Sequence, residues 1–97
     1  MYLNAYAVYD SGADLWNSPF FMRTQAEAVR AFGSLSQDLK TQIGQHPGDF
    51  VLYFIGTYDD NSGRMEALDE PQVISVAADL LKPPSEDVAQ LDSEGLQ

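Results

Sequence analysis

The sequence predicts an α+β domain: a small antiparallel sheet of about four strands with one main helix packed on one face. The expected order is β-β-α-β-β, with room for a short C-terminal helix. Three observations lead there. "YLNAYAVYD" and "FVLYFIGTY" are rich in aromatic and β-branched residues, a helical spacing follows a capping signal between them, and Gly, Pro, Asn and Asp punctuate the junctions.

The first strand runs through "YLNAYAVYD" and ends in "DSGADLWNSP", whose Asp, Gly, Asn, Ser and Pro permit turns. After Pro19, "FFM" forms a short second strand, and Trp16 either joins that strand or covers the core from the loop. In "TQAEAVRAFGSLSQDLKTQI", Thr24 and Glu27 stand three residues apart as a capping box, so a helix begins there. Ala28, Phe32, Leu35, Leu39 and Ile43 follow at spacings of 4, 3, 4 and 4, one face of a helix that ends near Ile43. Gly33 weakens its interior by about 1 kcal/mol relative to Ala and leaves space for close approach to the sheet. "GQHPG" stops the helix, Gly44 through a positive dihedral and Pro47 through its missing donor.

"FVLYFIGTY" is the strongest strand signal. Alternation places Val51, Tyr53, Ile55 and Thr57 on one face and Leu52, Phe54, Gly56 and Tyr58 on the other. One face receives the helix; the other is left for a second protomer, the C-terminal segment or a ligand. "RMEAL" then returns antiparallel, and "PQVISVAADLL" reads as a short helix or as an edge strand followed by a turn. Pro83 and Pro84 end regular structure, dividing the chain into a compact domain over residues 1–81 and an acidic, flexible tail over 82–97.

Ninety-seven residues with 44% hydrophobic content suit one domain with one modest core. The absence of cysteine excludes disulfides, thiolate catalysis and cysteine-ligated metal sites. No secretory signal and no run of eighteen apolar residues is present, so neither export by that route nor a membrane location is expected. The net charge of −10 is uneven: five acids face three bases in residues 1–58, and ten acids face two bases in 59–97. Such a field opposes non-specific attachment to phosphate backbones and anionic membranes. It favours solubility and, where it acts functionally, a basic protein partner.

The oxygen-rich stretch "DDNSG" tests for a metal. Placing Gly63 at the sixth position of a calcium-binding loop puts Tyr58 at the first ligand position, so the match fails. A hairpin turn explains the residues better, with Asp60 and Asn61 bonding local amides and Gly63 left-handed. His46, the only imidazole, has no local nucleophile and reads as a structural or surface residue; one His without Cys argues against zinc. Asp10 with Asp14, and Glu66, Asp69 and Glu70, fall in turns and an acidic segment, where solvation accounts for them. No catalytic residue, cofactor or metal is assigned, and no enzyme activity is expected.

Two binding surfaces remain. Arg23, Arg30 and Lys40 are the only bases before Arg64, and with Tyr2, Tyr6 or Tyr53 stacking on bases they compose a sparse single-stranded nucleic-acid site, the alternative reading. The aromatic surplus points instead to a protein interface through Tyr6, Tyr53, Phe54 and Tyr58. One helix covers only one face of a sheet, so a homodimer is expected.

"YAVYDSGADLWNSPFFMRTQAEAVRAF", "HPGDFVLYFIGTYDDNSGRMEAL" and "PQVISVAADLL" together resemble the small nonstructural proteins of gokushovirus-like single-stranded DNA bacteriophages of the Microviridae. The pattern is "YDS", then "PFF" before an "RAF" helix, then "HPGDF" leading to "LYFIGTYDD", over residues 2 to 81. The resemblance implies a phage protein of the host cytoplasm, outside the virion, acting in viral single-stranded DNA synthesis or its coupling to genome packaging. It implies a phage or host replication or packaging protein as partner, and it transfers no catalytic residues.

Overall fold

The computed structural model describes residues 1–81; the tail expected over residues 82–97 lies outside the described residues. Tyr2–Asp10 (β1) is a nine-residue strand that ends where the Asp10 carboxylate accepts the amides of Gly12 and Ala13, at 3.0 and 3.3 Å. That turn returns the chain into Leu15–Trp16 (β2), and Pro19 separates β2 from Phe20–Met22 (β3). Next come the main helix Gln25–Ser36 (α1) and the short helix Gln42–Gln45 (α2). A helical turn at Pro47–Asp49 leads into the long strands Phe50–Asp59 (β4) and Arg64–Val76 (β5). A second helical turn, Ala77–Leu80, follows.

All pairings are antiparallel, in the order β2-β1-β4-β5, with β3 also pairing with β1. The fold is α+β, as the sequence predicts, with five strands rather than four. The additional one is β2, where Trp16 lies opposite Tyr9 and Leu15 opposite Asp10. "PQVISVAADLL" is an edge strand followed by a turn.

The capping box forms at the start of α1: the Glu27 amide donates to Thr24 Oγ1 and the Thr24 amide to Glu27 Oε1, both at 3.2 Å. The helix ends at Ser36, well short of Ile43. Polar side chains there compete with the backbone for its hydrogen bonds. Asp38 Oδ1 accepts the Lys40 amide at 2.9 Å, while the Thr41 hydroxyl donates to the Leu35 and Asp38 carbonyls and caps α2 by accepting the Gly44 amide. Leu39 therefore leaves the buried stripe and is 74% exposed, while Leu35, inside α1, is also exposed. Gly44 acts by close approach instead of a positive dihedral: a Cβ there would lie 2.0 Å from the Asp38 carbonyl oxygen. Gly33 faces Leu80 rather than the sheet.

The core fills the space between α1 and one sheet face. Tyr6, Val8, Phe50 and Leu52 meet Ala28, Phe32, Ile43 and Ala77, with Phe20, Met22, Phe54 and Leu80 closing the margins. Two buried hydroxyls have partners: the Tyr6 hydroxyl accepts from the Asn4 amide at 3.1 Å, and the Ser36 hydroxyl donates to the Phe32 carbonyl at 2.8 Å.

One irregularity re-aims β4. Ala5 lies opposite Gly56 but Tyr6 lies opposite Phe54, so Ile55 is an extra residue, a β-bulge. Strict alternation separates Tyr53 from Tyr58. The bulge puts them on the same face, opposite Ala7 and Leu3, while Phe54 turns to the core.

Candidate interaction surface

On the sheet face away from α1, register brings together Leu3, Ala5, Ala7 and Tyr9 of β1 with Trp16 and Phe21. Val51, Tyr53, Gly56 and Tyr58 of β4 and Met65, Ala67 and Val73 of β5 complete it. None of these positions is charged. The rings form two groups. Trp16 sits 5.0 Å from Tyr9 and 4.8 Å from Tyr53, centroid to centroid, and Tyr9 meets Tyr53 edge-on at 6.5 Å. Phe21 and Tyr58 form a second pair at 5.3 Å. These separations suit the tilted arrangements that ring quadrupoles favour.

This surface is half closed. Ala5 and Ala7 are buried although no helix among the described residues covers their side of the sheet, whereas Trp16 stays 43% and Val73 57% exposed, and Phe21 and Met65 are also exposed. At the rim, the Tyr9 hydroxyl donates to the Asp14 carboxylate, which pushes the phenol's pKa above its ordinary value.

The residues expected at an interface divide between the two faces. Tyr53 and Tyr58 belong to the exposed aromatic surface, but Tyr6 is fully buried with Phe20 and Phe54 around it, so its ring is core. Trp16, Tyr9, Phe21 and Val73 enter in its place. A signal for Phe21 lay in "PFF", since consecutive strand residues point to opposite faces and only one Phe can reach the core.

The bases stand on three different segments. Arg23 follows β3, Arg30 lies on α1 and Lys40 in the loop before α2, all exposed, while Tyr53 lies across the sheet from the helix. Tyr2 is exposed at the far end of β1, opposite Asp59.

The "DDNSG" stretch turns the chain. Asp59, rather than Asp60, organises it: Oδ1 accepts the Asn61 amide at 3.0 Å, Oδ2 accepts the Ser62 hydroxyl at 2.9 Å, and its carbonyl accepts the Gly63 amide at 2.8 Å. Gly63 has φ 75°, the left-handed region that glycine tolerates best. The Asn61 amide, followed by Ser62, holds the Asp59 carboxyl below its ordinary pKa. Asp60 instead pairs with the Met1 amine at 3.0 Å, and this bond raises the amine's pKa.

A polar cleft of about 310 Å³ opens between Asp10 and Gly12 on one side and Gln42, Gln45, His46 and Asp49 on the other. Here "YDS" meets "HPGDF": the Ser11 amide and hydroxyl both donate to the Asp49 carbonyl, at 2.8 and 3.0 Å. Among the described residues no three His, Asp or Glu side chains converge as metal ligands. No helix among them is long and apolar enough to cross a membrane.

A family model described as phage ORF5 protein matches residues 3–80. The chain belongs to that family. ORF5-family proteins are small nonstructural phage proteins associated with the Microviridae, as the "YDS", "PFF" and "HPGDF" pattern leads one to expect. Neither a curated protein nor a solved structure matches the chain.

Proposed function

We propose that this ORF5-family protein is a non-enzymatic accessory factor in viral single-stranded DNA synthesis or its coupling to genome packaging, acting through protein contacts. It works in the host cytoplasm, outside the virion, and as a homodimer. The observation that carries this reading is the uncharged aromatic sheet face. Exposed Trp, Phe, Tyr and Met clustered on one surface are the composition of a protein interface.

The charge supports the same reading. A net charge of −10 repels phosphate backbones and attracts basic proteins, so an effect on replication exerted through proteins fits the chain better than direct DNA contact. The groups with displaced protonation, Tyr9, Asp59 and the Met1 amine, each answer to a local turn or rim bond rather than to converging catalytic groups.

Affinity capture from infected cells, with nuclease treatment and a salt series, tests this. A phage or host replication or packaging protein is expected to survive nuclease. Recovery of viral single-stranded DNA alone, lost with rising salt and on replacing Arg23, Arg30 and Lys40 by Ala, would overturn it in favour of the nucleic-acid reading.

A further inference from the structure

We infer that the aromatic face is occupied by a second copy of the same chain, packed face to face as a β-sandwich, and not joined through strand edges. This rests on the protein-contact reading and specifies which surface self-associates. A sheet with one apolar face against a helix and a second left open completes its layers by burying the second face. Three features of the molecule select a second copy.

The edges are blunted. β5 is a long outer strand, but between Ala67 and Gln72 it carries Leu68, Asp69, Glu70 and Pro71 opposite the single residue Ile55. A bulge, two acids and a proline are devices that prevent another strand from adding to an edge. The opposite edge consists of β2 and β3, two and three residues long and separated by Pro19. Neither edge offers a continuous ladder.

Charge then narrows the occupant of the face. Acidic chains repel, so two copies associate best where the contact itself is neutral; the paired positions at the centre of this face carry no charge, and Asp69, which alternates with Ala67 and Val73, stands out on the β5 edge. A basic partner drawn by the field would find its carboxylates at the rim, on Asp14 and Asp69, and not among the paired positions at the centre.

The size also suits. Ten residues of β4 extend about 33 Å, and four strand widths span about 19 Å, giving roughly 600 Å² before the relief of the rings is added. A standard interface takes about 800 Å² from each partner. Trp16 and Val73 supply exposed area at the core of such a contact, and stacking leaves both α1 layers outward.

Sedimentation of the full chain from micromolar to millimolar concentration tests the inference, with emission from Trp16, the sole tryptophan, as a second reading. The expected result is a dimer whose dilution to monomer coincides with a red shift of Trp16 emission, and whose affinity rises with salt as repulsion is screened. Val73→Lys replaces an exposed side chain of the monomer, so far-UV circular dichroism should stay unchanged. Burying an unpaired ammonium on each side should weaken the dimer by at least about a hundredfold. The edge variant Asp69→Asn/Glu70→Gln should not weaken it.

A chain that stays monomeric at millimolar concentration, or a dimer indifferent to Val73→Lys, overturns the inference. If the chain is monomeric but Val73→Lys abolishes capture of a replication or packaging protein, a foreign protein takes the face, and the accessory role through protein contacts survives without the homodimer. If the dimer forms but nuclease removes everything captured, the inference stands and the functional reading falls.

Discussion

Replacing Phe32 and Leu39 separately by Ala distinguishes two readings of the helical stripe. Periodicity treats them alike, as members of one apolar row. In the structure Phe32 is 1% exposed, between Tyr6, Val8 and Leu52, whereas Leu39 is 74% exposed in the loop after α1. Phe32→Ala removes a buried ring and leaves a cavity, a loss of about 3–5 kcal/mol, while Leu39→Ala should stay within about 0.5 kcal/mol. A domain of this size has a total stability of about 5–15 kcal/mol, so the first change consumes a large share. At about 4–8 °C per kcal/mol, its melting temperature should fall by at least about 12 °C, against a few degrees for Leu39→Ala. Thermal melts by circular dichroism at one fixed protein concentration read the difference, because self-association would shift both. Equal losses would refute the reasoning: they would mean that the helix continues to Ile43 and packs Leu39 on the sheet.

The remaining predictions address the caps, the tight approach and the acidic turn. Thr24→Ala should cost about 1 kcal/mol by removing the side-chain acceptor at the start of α1, measured by urea denaturation; no loss would show that the capping box contributes nothing. Gly44→Ala should cost about 1–3 kcal/mol or more, because the new methyl meets the Asp38 carbonyl oxygen, whereas Gly48→Ala meets nothing within 4 Å and should be near neutral in the same melts. Asp59 is held below its ordinary pKa in the folded state, so its stabilising contribution is present above the unfolded value of about 4 and is lost as pH falls through the folded one. Asp59→Asn should flatten the acid side of a plot of melting temperature against pH; identical slopes would count against this assignment.

Much of the fold is legible because its signals are local. Thr24 and Glu27 mark the start of α1, "DDNSG" marks the hairpin, and the two aromatic runs mark the long strands. The helix end is misjudged because apolar spacing outweighs the competing side chains of Asp38 and Thr41, although Thr41 standing three residues before Gly44 is itself a second capping signal. The surface is harder to read. Alternation sets Tyr6 and Tyr9 on opposite faces of β1, but which face is core is decided by where α1 packs, against Tyr6 and Val8. The bulge at Ile55 has one local mark, the isolated Gly56 inside a strand pattern, but that mark does not say which residue is extra. The bulge arises where Gly56 pairs with both Ala5 and Ala67, a coincidence of two distant strands.

The placement of β1 between the short strands and β4 bears on how the chain acquires its structure. Its neighbours β2 and β3 follow within about a dozen residues, but its pairing with β4 joins Tyr2 to Asp59 and Asp10 to Phe50. Closing loops of that length is slow compared with forming a helix or a hairpin. The β4–β5 hairpin and α1 can therefore assemble early as separate local units, leaving the central ladder to close last. During synthesis, β1 emerges long before β4, so the rings of Tyr6 and Tyr9 wait unsheltered while its longest partner is still being made.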